Sequence, residues 1–347
     1  MDDQLTADIS KLEEQVKVAQ IPADLKEKSE AMLARLQRLA KQGAYSAEFE
    51  QTAHYIDWIV NLPWEKTSQD ILDLNHARQV LDKNHYGLGD LKDRVLEYLS
   101  ILILNKQKNN TYRAPILLLV GLVGTGKTTL AISIAEALGR KLVRIPFGGM
   151  SSALDLRGQS RVHADAEVGL VMKGVRRAGV KNPVILVDEI DRVADASRGE
   201  IMGVLVELLD PEQNMSFSDH YIDYPFDLSQ AMFIATCNNT TNISTAVMDR
   251  LEPITMPSYN DEEKIKIAKD YVLPRELKNA GLAEGAVKID DTVWPKIVRP
   301  LGFDAGIRTL ERTVQGMVRK ITKMVVEGKG SQFYITQDNL KQFLPQY

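Results

Sequence analysis

A chain of 347 residues exceeds one typical domain, so two or three are expected. With 44% hydrophobic and 26% charged residues it is neither disordered nor fibrous, and no apolar run approaches the ~20 residues of a membrane span. A formal charge of −4 gives no whole-chain attraction to nucleic acid, and a single cysteine excludes an intrachain disulfide and suits a reducing cytoplasm, the expected location. The acidic start "MDDQLTADISKLEEQ" lacks the apolar core of a secretory signal. Five scattered histidines and one cysteine allow neither a CxxC nor an HExxH metal site.

The first hundred residues read as helices. In "IPADLKEKSEAMLARLQRLAKQG", Pro22 opens a helix and Gly43 stops it, with Leu25, Met32, Leu36 and Leu39 on one stripe. "SAEFEQTAHYIDWIVNLPW" begins with Ser46 as a helix cap and is stopped by Pro63, so a small helical bundle is expected. From residue 113 the texture changes. "APILLLV" (114–120), "KLVRI" (141–145), "PVILVDEID" (183–191) and "AMFIATCNN" (231–239) are strand-length and mostly apolar, as a parallel sheet buried on both faces requires. Beyond "PSYNDEEKIKIAKDYVLP" helices return, the longest in "DAGIRTLERTVQGMVRKITKMVVEGKG", and "SQFYIT" (331–336) reads as a lone strand.

The stretch "LLLVGLVGTGKTTLAISIAEAL" (117–138) carries the chemistry. Gly121, Gly126, Lys127 and Thr128 satisfy G-x-x-x-x-G-K-[ST] between a strand and a helix, the setting of a phosphate-binding loop. Leu122, Val123, Gly124 and Thr125 complete its backbone cradle and Thr129 follows it. Lys127 is expected on the β- and γ-phosphates of ATP, and Thr128 on Mg²⁺. "VILVDEID" supplies the partner carboxylates: Asp188 for the metal shell, and Glu189 to orient and deprotonate the attacking water.

With those residues in place the chain resembles the AAA+ ATPases, and among them the Lon proteases. The resemblance rests on "VNLPWEK", "HYGLGDLKDRVLEYL", "RGEIMGVLVELLDPEQNMSFSDHYIDYPFDLSQAMFIATCNN" and "DAGIRTLERTV". It implies an N-terminal helical segment (1–66), an α/β core with a parallel sheet (67–257) and a mostly helical lid (258–347). By the same resemblance Asn238 is sensor 1, Arg250 the arginine finger that reaches a neighbouring subunit's nucleotide, and Arg308 sensor 2 on the lid. His85, Tyr86 and Gly87 correspond to the stretch lying against adenine. A homohexamer with a central pore follows, acting on unfolded or damaged proteins, with a protease domain normally in the same polypeptide.

Two departures stand out. Val162, His163 and Ala164 occupy the tip of the first pore loop, where Lon proteases carry an aromatic-apolar pair. The smaller apolar area and the acids that follow imply a weaker or more selective grip, or one shifted to Val162. The chain also ends about where the serine-lysine protease domain would begin, so no peptidase activity is expected of it. The rival reading is a nucleotide-gated scaffold without motor activity. Nucleic-acid binding would need a basic surface, and Lys173, Arg176, Arg177 and Lys181 form the nearest cluster, read as one helix face.

Overall fold

Alternate residues of the central strands point to opposite faces, and both faces are buried. In β1 (Ile116–Val120) Leu118 joins one apolar cluster while Leu117 and Leu119 join another. The same division runs through β3 (Val184–Asp188; β2 is Leu142–Pro146), with Ile185 and Val187 against Val184 and Leu186. That is why these runs show no polar alternation. The computed structural model describes residues 2–40, 47–108, 116–283, 285–299 and 306–345. Gly43, Ser46 and the first two residues of the run at 114–120 lie outside them.

After a short antiparallel hairpin, β4 (Phe217–Asp219) and β5 (Tyr224–Phe226), come β6 (Met232–Cys237) and β7 (Leu251–Thr255). The main sheet is parallel, in the order β2-β3-β6-β1-β7. Four of its strands match apolar runs in the sequence. The fifth, β7, is hidden there because Glu252 and Pro253 interrupt it. It pairs only with β1 at the sheet edge, where a proline is tolerated.

Helices α1 (Asp2–Val18), α2 (Ala23–Ala40) and α3 (Ala47–Asn61) share a continuous apolar cluster with one face of the sheet. The buried stripe of α2 is Leu25, Ser29, Leu33, Leu36 and Ala40, with Met32 and Leu39 at its margin, half-buried. Trp64 packs on Tyr224 and Phe226 at 5.5 and 5.2 Å between ring centres, and Tyr55 donates to the Ile222 carbonyl at 3.2 Å. The N-terminal helices are thereby seated on the hairpin. Helices α4 (Leu74–Asn84), α5 (Gly89–Gln107) and α6 (Lys127–Ala137) cover the opposite face.

Helices α7 (Leu154–Arg157), α8 (Leu170–Ala178), α9 (Arg198–Leu209) and α10 (Thr245–Met248) complete the sheet region. A third apolar cluster holds α11 (Asp261–Ile267), α12 (Leu273–Asn279), α13 (Trp294–Val298), α14 (Arg308–Val326) and α15 (Leu340–Phe343). The run at 331–336 is not a lone strand. Its β9 (Phe333–Ile335) pairs in parallel with β8 (Val287–Ile289), a three-residue strand too short to show a period in sequence. No helix among the described residues is long and apolar enough to cross a membrane.

Candidate active site

Parallel strands bring their carboxyl ends to one edge of the sheet, and ligands of open α/β sheets sit beyond that edge. Here β1 runs into the loop 121–126, β3 into Asp188 and Glu189, and β6 into Asn238. The loop can curl because Gly124 and Gly126 take φ of 84° and 95°, left-handed values that cost a glycine little. Gly121 answers a different need: a Cβ there would lie 2.7 Å from that of Met256. Opening at Lys127, α6 points its first free N–H groups at the same space.

Lys127 Nζ donates to the carbonyls of Gly121 and Leu122 at 2.6 and 3.0 Å and to Asn238 Oδ1 at 3.1 Å. Burial holds its ammonium below the usual lysine range, against the pull of Asp188, Asp191 and Glu189. Neighbouring Cys237 is buried, its thiol pushed up to about 12, so it remains a neutral packing group. Asn238 donates its backbone N–H to Asp191 Oδ2 at 3.0 Å, while its side-chain Nδ2 is buried with no partner among the described residues.

Asp188 is 2% exposed. The Thr236 hydroxyl donates to its Oδ1 at 2.5 Å and itself accepts from the Glu189 N–H at 2.9 Å. One hydroxyl therefore fixes both carboxylate residues. Arg144 Nε donates to Asp188 Oδ2 at 2.7 Å, and Thr128 Oγ1 stands 3.5 Å from that oxygen. Glu189 adopts φ 59°, a left-handed value uncommon for a side-chain-bearing residue. Gly148 leaves room for its carboxylate, since a Cβ there would fall 2.8 Å from Glu189 Oε2.

The lid closes the cleft from the other side. Ile307 N–H donates to the Gly124 carbonyl at 3.0 Å, Arg308 lies against Gly124, and Tyr259 Oη reaches the Thr125 carbonyl at 3.4 Å. Loop residues 123–124 and 126–129, Asp188, Glu189, Asn238 and Arg308 line a space of about 120 Å³. Ligand pockets usually hold about 300–1,000 Å³, so this space is smaller than a typical ligand site. Two larger hollows, of about 500 and 530 Å³, lie at the amino ends of the strands and beside the loop at 159–168. Neither gathers the phosphate loop with the two acids.

Other expected site residues stand apart from this cleft. Arg250 turns inward: Nη2 donates to Asp210 Oδ2 at 2.7 Å and Nη1 to the Ala246 carbonyl at 2.7 Å. Its guanidinium holds the Asp210 carboxyl below the usual range. The His85 ring is buried 2.9 Å from Ser133 Oγ on α6, and Tyr86 packs on the lid cluster. Gly87, with φ 63°, turns the chain between them and α5. Val162, His163 and Ala164 are exposed at the tip of a loop pinched at its neck, where Gln159 N–H donates to the Glu167 carbonyl at 2.9 Å and Gly169 N–H to Asp219 Oδ2 at 2.8 Å. Val162 is 88% exposed. The basic cluster is not a free face. Lys173 pairs with Glu167 and Arg176 with Asp57, each at 2.7 Å, and Lys181, beyond α8, is buried 3.4 Å from Asp227.

Arg144, Thr236 and Asp191 escaped the motif reading. The signal was present: Arg144 is the charged residue within an otherwise apolar strand, and Thr236 the hydroxyl in "MFIATC". Thr236 lies in a strand buried on both faces, where a polar group must have a partner, while Arg144 stands on the exposed face of edge strand β2.

Residues 117–259 match the family described as "ATPase family associated with various cellular activities (AAA)", and residues 278–333 the "Lon protease AAA+ ATPase lid domain". The chain belongs to the Lon-type AAA+ ATPases. Like the rest of this family of ATPases it is a nucleotide-binding protein, and its parallel sheet with flanking helices and helical lid is the expected fold. It is 44% identical to a Lon protease of Desulforamulus reducens over 93% of its own length and 40% of that protein's. It is 42% identical to a Lon protease of Elusimicrobium minutum over 99% of itself and 41% of the relative. A "Lon protease 2" of Thermus thermophilus is likewise 42% identical, over 89% of this chain and 39% of the relative. The chain thus spans about 40% of the length of these curated relatives.

Proposed function

We propose that this Lon-type ATPase region couples ATP hydrolysis to the unfolding and translocation of polypeptide, as the motor of a Lon-type protease. The observation that carries the reading is the meeting of Lys127, Thr128, Asp188, Glu189 and Asn238 at one sheet edge beneath the lid's Arg308. The residues suit their expected ligands. A hydroxyl and a carboxylate are the hard oxygen donors that Mg²⁺ takes, and the unpartnered Asn238 amide is a donor for a phosphate oxygen or water.

In this reading Lys127 leaves its three oxygen partners for the β- and γ-phosphates while the loop N–H groups cradle them. Thr128 and Asp188 hold Mg²⁺, which neutralises charge on the phosphate oxygens when bound. Glu189, held by Thr236 through its backbone, accepts the proton of the attacking water, which Asn238 orients. Arg308 contacts the nucleotide of its own subunit from the lid. Arg250 reaches the nucleotide of the next subunit in a homohexamer, and its inward pairing with Asp210 fixes where the guanidinium sits. His85, Tyr86 and Gly87, at the seam of core and lid, border adenine once the lid has moved. The lid's shift between nucleotide states carries the Val162–Ala164 tip along an unfolded substrate in the cytoplasm.

The test is steady-state ATP hydrolysis against protein concentration, for the unmodified chain and Arg250→Ala, with and without an unfolded protein. The motor reading expects activity per subunit to rise steeply with concentration, to fall about 10³-fold in the variant and to climb with polypeptide. Hydrolysis independent of concentration and untouched by Arg250→Ala would remove the ring and the trans arginine from the mechanism.

A further inference from the structure

Asp188 already has a cation. Arg144 donates to its Oδ2 through Nε at 2.7 Å and approaches the same oxygen through Nη2 at 2.6 Å. Two guanidinium nitrogens meet one oxygen, and the other accepts from the Thr236 hydroxyl. Arg144 comes from the neighbouring strand, where its Cα pairs with Leu186, two residues short of Asp188. At about 3.3 Å per residue its side chain runs some 6–7 Å along β3 to reach the carboxylate. The contact has an inner and an outer side: the Asp188 side chain is 3% exposed, whereas that of Arg144 is 57% exposed.

The contacted oxygen is the one that Thr128 Oγ1 approaches at 3.5 Å. It is therefore the oxygen a metal ion shared by Thr128 and Asp188 would take. An octahedral ion at 2.0–2.1 Å and a guanidinium fork at hydrogen-bond distance cannot both fill the outward lone-pair directions of one carboxylate oxygen.

We infer that Arg144 is a built-in counter-ion that competes with Mg²⁺ for Asp188, so that it sets how much Mg²⁺ the site requires. The inference rests on the reading of Thr128 and Asp188 as the metal site. Without nucleotide, Arg144 neutralises a carboxylate that would otherwise be buried with its charge uncompensated, which is strongly unfavourable. With Mg²⁺ and nucleotide bound, the exposed guanidinium would swing back to water. Arg144 touches no reacting atom in this scheme and acts as a positioning residue for Asp188. A lysine would be a poorer counter-ion, since a compact ammonium cannot present two donors in one plane.

The experiment is equilibrium binding of a fluorescent ATP analogue to the full chain, titrated with Mg²⁺ at fixed nucleotide and repeated in EDTA, for the unmodified protein, Arg144→Gln and Arg144→Lys. The expected result is a 3- to 10-fold fall in the Mg²⁺ concentration for half-maximal binding in Arg144→Gln. Arg144→Lys falls between, and affinity in EDTA changes less than twofold. Thermal unfolding without ligand checks the other half, with Arg144→Gln melting lower than the unmodified chain and gaining more from Mg²⁺-nucleotide. A Mg²⁺ midpoint that is unchanged or raised in both variants overturns the inference and leaves the ATPase reading standing. An unmodified chain whose nucleotide binding is indifferent to Mg²⁺ overturns both.

Discussion

Thr236→Val removes one hydroxyl and changes little else, because valine matches threonine in shape and suits a strand as well. The site is fully buried, so water cannot replace what is lost. Two groups then lack partners: the Glu189 N–H, 2.9 Å from Thr236 Oγ1, and Asp188 Oδ1, 2.5 Å from it. A buried unsatisfied polar group costs about 1–3 kcal/mol, and one bearing charge more, so the variant should lose about 3–5 kcal/mol of stability. Arg144 still neutralises Asp188 through its other oxygen, which keeps the loss below that of an isolated buried charge. Thr236→Ser retains the hydroxyl and should lose about 1–2 kcal/mol, the cost of deleting one packed methyl. Urea unfolding of the three proteins supplies the stabilities, and ATP hydrolysis at saturating substrate supplies kcat. The valine variant should lose kcat at least tenfold with ATP affinity within about threefold, because the hydroxyl aims the acids and does not meet the phosphates. Val and Ser variants alike in stability and in kcat would refute the hydroxyl's role in the network.

Three further outcomes follow from other contacts. Burial depresses the His85 ring from 6.5 to about 4. Above 6.5 neither state is protonated, and as pH falls to about 4 the unfolded chain alone gains the proton. Stability should therefore drop by about 3 kcal/mol across that window, and His85→Asn should flatten that part of a urea-midpoint profile between pH 7 and 4. Gly169→Ala would place a Cβ 2.1 Å from the Leu156 carbonyl oxygen at the neck of the exposed loop. It should cost about 2–4 kcal/mol and expose the loop to limited proteolysis, whereas unchanged stability and cleavage would mean that the neck yields. Asp210→Ala frees Arg250 from its 2.7 Å contact, so hydrolysis in the assembled protein should fall while nucleotide affinity holds; full activity would separate Asp210 from the arginine's placement.

Much of this protein follows from local sequence. Gly121 to Thr128 and the Asp188-Glu189 pair are contiguous signals whose chemistry depends on spacing along one segment, so they are legible before any fold is known. The strands at 116–120, 184–188 and 232–237 show for the same reason: burial on both faces writes an unbroken apolar run, whereas edge strand 142–146 buries one face and carries Arg144 on the other. The N-terminal helix at 23–40 announces itself by its period. Only the tertiary structure decided the rest. An edge strand such as β7 is held by one neighbour, and its Glu252 and Pro253 erase the apolar signal. The pairing of β8 with β9 depends on segments more than forty residues apart in sequence, each too short to carry a pattern. Arg144 meets Asp188, and Thr236 meets both Asp188 and Glu189, only because β2, β3 and β6 lie side by side. Nothing in the sequence around Arg250 names Asp210 as its partner, and that contact appears only once α9 and α10 are packed together. Spacing along the chain chose the reactive groups; strand order chose which charges stand against them.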